Sequence, residues 1–153
     1  MTGLNARAIR GALVSHAASL GVFDVVNTHE PIKNAPGNGI TCSVWLAAVD
    51  PARIRSGLAV TSARLVFTAR LATAALQLDP DEIDMRLLDA LDVLMTAFGA
   101  DFTLGDLGQL DLLGSVGIPL QAIAGYAVQD GKEFRIFNVN IPVLVNDVWP
   151  QTP

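Results

Sequence analysis

Cysteine is nearly absent. The one thiol, Cys42, lies in an apolar run with no second cysteine to join, which excludes an intrachain disulfide and fits either a reducing compartment or a chain that simply does not use disulfides. Charge is scarce too: charged residues are 16% of the 153-residue chain against 51% hydrophobic. Apolar groups are therefore expected on the surface of an isolated subunit, which favours an oligomer. Positive charge is the scarcer sign, with ten Lys and Arg against fifteen Asp and Glu and a net charge of −5. That balance argues against a protein that grips phosphate backbones. The N-terminal stretch has Arg7 and Arg10, but the apolar run behind them is short and holds Ser15 and His16, so no signal peptide is read there. Residues 112–129 carry no charge, yet Gly114, Gly117, Pro119, Gln121 and Gly125 interrupt them; a buried segment is expected rather than a membrane span. No repeat, low-complexity tract or linker divides the chain. Residues 1–153 read as a single domain, large enough to bury about two thirds of its unfolded surface.

What is present is organised around residues 120–149. Two β-favouring runs flank Asp130-Gly131, a strong hairpin-turn signal, and predict a long antiparallel hairpin. In its second arm Phe137, Val139, Ile141, Val143 and Val145 fall at period two, with Asn138 and Asn140 opposite, so one face is built for a core. As one strand, residues 133–146 span about 45 Å against a diameter of about 40 Å for a compact domain of this length. Part of the hairpin is therefore expected to project or to lie at a subunit boundary. Pro142 cannot donate to a ladder, which predicts an edge or a bulge there.

Earlier in the chain, Thr2 is expected to cap a helix with the apolar stripe Ile9, Leu13, Ala17 and Leu20, stopped at Gly21. A short strand follows over 23–26, then a Gly- and Pro-rich loop over 29–39. Residues 40–49 predict a strand in which Thr41, Ser43 and Trp45 alternate with Cys42, Val44 and Leu46, and 50–60 a loop. In 61–73, Leu65, Phe67, Ala69 and Leu71 alternate with Arg64, Val66, Thr68 and Arg70, a half-buried strand. Residues 80–98 predict the second helix, with Asp79 as cap, Pro80 at the first position, Asp81 and Glu82 at the positive end of the dipole, and Gly99 as stop. Its buried stripe is Ile83, Leu87, Leu91, Leu94, Met95 and Phe98. Residues 100–117 show no clear period. The element order predicts an α+β fold, a mainly antiparallel or mixed sheet with a long C-terminal β-hairpin and two helices packed on one face.

Candidate chemistry is thin. Asp79, Asp81, Glu82 and Asp84 suit a hard cation, but capping and a solvated first turn explain them more economically. The glycine- and aspartate-containing run 104–111 matches no defined calcium loop. His16, His29 and Cys42 stand at irregular spacing for zinc, and Ser15-His16 are sequence neighbours rather than a nucleophile set against its base. No catalytic residue, metal or cofactor is assigned. Arg53, Arg55, Arg64 and Arg70 form the main basic group outside the first helix. They are either a solvated strand face and loop or guanidinium forks that meet acidic patches of a neighbouring copy. Asp101, Asp106 and Asp111 in the 101–115 segment, Pro142 and Trp149 complete the candidate interface, with Trp149 either a clasp on its own body or an anchor in a neighbour.

The last third carries a resemblance. Leu112-Leu113-Gly114, Pro119-Leu120, Ala124-Gly125-Tyr126, Asp130-Gly131-Lys132 and Phe134-Arg135-Ile136 run into Ile141-Pro142-Val143-Leu144-Val145-Asn146-Asp147-Val148-Trp149. That run, and the order of elements over nearly the whole chain, resembles the tail terminator proteins of long-tailed, non-contractile bacteriophages, also called tail completion or minor tail proteins. The resemblance implies a virion protein, assembled in the host cytoplasm, that forms a homo-oligomeric ring, usually a hexamer. It implies binding to the tail tube protein, arrest of tube polymerisation, and a head-joining face for the head completion or neck protein. Genomic DNA would pass through the lumen without specific binding, and no membrane is involved. By analogy of topology the loops over 29–39, 50–60 and 101–115 would contact tube, neck or neighbour. A different class of reading is a hotdog-type acyl-thioester hydrolase with 80–98 as its wrapped helix; against it, the strands precede the helix and no acidic residue has an evident site context. A third, an oligomeric small-ligand-binding α+β domain, explains the apolar excess but identifies no pocket.

Overall fold

The computed structural model describes residues 3–31, 39–53, 56–77 and 79–152. Helix α1 (Ala6–Ser19) buries Ile9, Leu13 and Ala17, the i, i+4 stripe of an amphipathic helix. Its N-terminal cap position is Asn5, held at φ 53°, rather than the expected Thr2, which lies outside the described residues. At the far end Gly21 adopts φ 71°, the left-handed conformation a helix stop favours. Strand β1 is Val25–Asn27, two residues later than the periodicity predicts, because Phe23 packs against the core instead of joining a ladder.

Strands β2 (Thr41–Pro51) and β3 (Val60–Ala74) pair antiparallel, while β1 runs parallel to β2. Their alternation follows the sequence. Cys42 and Val44 on β2 and Leu65, Phe67, Ala69 and Leu71 on β3 are buried in the main core. Arg64 and Arg70 take the opposite face, but that face is less open than expected. Val66 and Ala72 are buried there too, and Ala72, Phe134 and Ile136 form a second small apolar cluster.

Helix α2 (Pro80–Ala100) lays Ile83, Leu87, Ala90, Leu91, Leu94 and Phe98 onto the sheet, each full burial of such a side chain contributing about 1.5–3 kcal/mol. Two details differ from the sequence reading. Asp79 takes φ 58° and its side chain makes no capping hydrogen bond, so the carboxylates near this end, Asp81 and Glu82, act only through the dipole. Gly99 does not stop the helix; the turn closes at Asp101, whose N–H donates to the Phe98 carbonyl.

A two-residue strand, β4 (Gln109–Leu110), emerges from the otherwise irregular 101–120 segment, and β5 (Gln121–Gln129) and β6 (Lys132–Pro150) form the hairpin. Its turn, Asp130 at φ 51° and Gly131 at φ 74°, has both central residues left-handed, the twist that a two-residue hairpin needs. The sheet order is β1-β2-β3-β6-β4, with β5 also on β6. Thus β6 has β3 along one side, from Ala74↔Phe134 to Val60↔Pro150, and β5 followed by β4 along the other.

This corrects the expectation of a projecting arm: β6 is long because it is an interior strand, flanked by β3 on one side and by β5 and then β4 on the other. Pro142 is likewise neither at the sheet margin nor in a bulge, since it is buried and pairs with Val66. Its carbonyl accepts from the Asp111 N–H, so its missing donor faces the same side. There β5 has ended at Asn140 and β4 begins at Val143, and a break between neighbours needs no donor. The two helices cover one face, as the α+β reading expects, and no described helix is long and apolar enough to cross a membrane.

Candidate functional site

The ionisable groups that sequence reasoning singled out are spread over the molecule in separate pairs. Cys42 sits in the core, where burial pushes its thiol up to about 12, so it holds no thiolate for a metal or a nucleophile. His16 Nε2 stands 2.9 Å from Asp101 Oδ2 and meets the Phe98 ring edge-on. Asp84 receives the Arg135 guanidinium at 2.7 Å, and Arg135 also lies over the Tyr126 ring at 4.5 Å. That carboxylate raises the Arg135 pKa further. Among the described residues no three His, Cys, Asp or Glu side chains come together as a metal site.

Of the predicted interface residues, several make bonds within their own subunit, although the Arg64 Nε is buried without a partner. Arg64 bonds Asp50 at 2.9 Å and the Val116 carbonyl at 2.7 Å. Arg70 donates to Asn138 and covers Trp45. Asp111 is buried and accepts from the Ser115 N–H, the Ser115 hydroxyl and the Val116 N–H. Burial pushes the Asp111 carboxyl up, but those bonds and one from Gly114 outweigh it and hold the group below its usual range. Pro142 is buried, Arg53 and Trp149 are exposed, and Arg55 lies outside the described residues.

Asp106 lines an open groove of about 570 Å³ with Asn5, Phe102, Gly108, Asn146 and Asp147. Gly108 lets this segment lie close against β6, since a Cβ there would stand 2.7 Å from Val143 Cγ1. The groove presents two carboxylates and a half-exposed Phe102, and no described histidine, cysteine, lysine or arginine lines it.

No protein-family model and no curated protein matches the sequence. Among solved structures, a chain described as "Virion of native gene transfer agent (GTA) particle" is similar over 92% of this chain and 97% of its own, at 19% identity and a TM-score of 0.51. The two share a fold. A second, described as an extracellular contractile injection system, "PVC sheath/tube terminator in extended state", is covered over 60% of its length by 95% of this chain, at 11% identity and a TM-score of 0.44.

What sequence reasoning missed is where the apolar excess surfaces. Ile123, Tyr126 and Val128 are exposed on β5, and Leu46 and Val49 on β2. Leu58 and Leu113 are 99% and 93% exposed at loop tips, and their loops belong to the end of the sheet where β3 begins, where Arg64 ties the 113–117 turn. The uncharged composition of 121–129 was the available signal, because a solvent-exposed strand edge is normally protected by charge.

Proposed function

We propose that this chain is a structural protein of a phage-like tail, a tail terminator whose copies close into a ring on the end of the tail tube. The ring, hexameric by the resemblance, halts tube growth and offers its opposite face to the head completion protein, while DNA slides through the lumen of an acidic protein that does not hold it. The observation that carries this reading is the fold likeness to a virion chain along nearly the full length of both chains. The distribution of side chains supports it. Three ion pairs, His16–Asp101, Arg64–Asp50 and Arg135–Asp84, stand apart from one another rather than converging on one cleft, and leucines stand uncovered on the loops of one end, as docking onto another protein requires.

The test is to mix the purified chain with the tail tube protein of the same particle and view the product by electron microscopy. Rings on tube ends and shortened tubes are expected. Tubes that grow to unchanged length with bare ends, or turnover of an acyl-thioester by the chain alone, would overturn the reading.

A further inference from the structure

Among the described residues the sheet has two open edges of nearly equal length, and they are unlike in charge. On one side is β5, residues 121–129, which contains no charged residue. Gln129 and Lys132 close the two-residue turn as a hydrogen-bonded pair. Counting back by twos, the backbone N–H and C=O groups of Ala122, Ala124, Tyr126 and Val128 point away from β6. Among the described residues no strand lies beyond them. On the other side, β1 covers only Thr41–Ser43 of β2, so among the described residues no strand pairs with the outer side of 44–51, and Leu46 and Val49 are exposed on the helix-bearing face.

The helix layer gives each edge a sign. Beside the β2 edge, Arg7 and Arg10 of α1 border a small groove with Leu46, and neither forms an ion pair with a described residue. Beside β5, Asp84 of α2 reaches Arg135. That contact turns the flank bearing Asp81, Leu88 and Asp92 toward the hairpin, since these positions share a side of the helix with Asp84.

Resting on the tail-terminator reading, we propose that the occupant of each edge is a second copy of this chain: β5 of one subunit pairs with residues 44–51 of β2 in the next. Strand directions fit. β2 and β6 run one way and β3 and β5 the other, so β5 meets the next β2 antiparallel, with both helix layers on the same face. A two-fold contact of β5 with β5 would set Asp81 and Asp92 against their own copies. The head-to-tail contact sets them against Arg7 and Arg10, and head-to-tail contacts repeated around a rotation close a ring. Each joint adds main-chain hydrogen bonds and covers apolar side chains.

Ala124→Cys and Ala47→Cys are introduced singly and together in a Cys42→Ala background and treated with a short bis-maleimide. The double variant is expected to give a ladder of covalently joined copies and each single variant none. Adding Arg7→Glu and Arg10→Glu is expected to abolish the ladder, and adding Asp81→Arg and Asp92→Arg as well to restore it. Cross-linking of the Ala124→Cys variant with itself would overturn head-to-tail pairing. Absence of any ladder, with rings still visible by electron microscopy, would overturn the edge pairing and leave the tail-terminator reading standing. A ladder from a chain that never caps tubes would support the pairing and sink that reading instead.

Discussion

His16 and Asp101, 85 positions apart in sequence, join the end of α1 to the end of α2 through a 2.9 Å hydrogen bond. Asp101 also accepts from the Gly105 N–H, so one carboxylate fastens both helices and the turn behind them. His16→Ala should lower stability by about 1–2 kcal/mol, from the lost bond and the lost edge contact with Phe98. Urea denaturation of His16→Ala, Asp101→Asn and the double variant checks this. The double variant should lose less than the sum of the two.

Asp111 should make stability depend on acid. Its carboxyl is held below the ordinary value in the folded chain, so the stabilisation is complete above that ordinary value, about 3.9, and is lost as pH falls through the lowered folded value. Asp111→Asn should cost about 1–3 kcal/mol near neutrality. The gap to the unsubstituted protein should narrow as the pH drops below about 4. Thermal denaturation of both across that range measures it.

Cys42 should be inert while the chain is folded. With its thiol pushed up to about 12 and its side chain fully covered, alkylation at neutral pH should proceed only through unfolding. The rate of labelling by iodoacetamide should therefore rise with urea in step with the unfolded fraction. Rapid labelling without denaturant would contradict the burial.

Gly108→Ala should destabilise by about 1–3 kcal/mol. The added methyl would meet Val143 Cγ1 at 2.7 Å and the Leu144 carbonyl at 3.2 Å, both on β6, an interior strand of the sheet. Gly11→Ala, where nothing lies within 4 Å, should be neutral or mildly stabilising through helix propensity. Comparing the two melting temperatures separates crowding from backbone entropy.

Much of the fold was legible because β3 and the middle of β6 bury one face, and a period of two then shows in Leu65, Phe67, Ala69 and Leu71 and again in Val139, Ile141 and Val143. The hairpin turn was legible because Asp130-Gly131 can take two left-handed conformations in a row. Neighbour relations were less so. The length of β6 was seen, but nothing local says whether a long strand projects or is flanked, and Pro142 was misplaced because its missing donor falls at a break between β5 and β4 that only the assembled sheet defines. The arginines were found by type, yet Arg64 and Arg70 are held by Asp50, Val116 and Asn138 of their own chain. Arg7 and Arg10, weighed in the sequence as charges ahead of a short apolar run, border a small groove with Leu46 of β2.

The pairing of β3 with β6 also bears on how the chain folds. Phe67 pairs with Ile141 and Leu71 with Phe137, contacts that close a large loop before returning any stabilisation. Such a topology folds slowly for its size, and until the last strand docks, β3 lacks one of its two neighbours. During synthesis β3 must wait for that partner with Val66, Phe67 and Leu71 uncovered on that side. A nascent copy in this interval is open to pairing with another nascent copy, so misassembly should be most frequent at high expression and low chaperone supply.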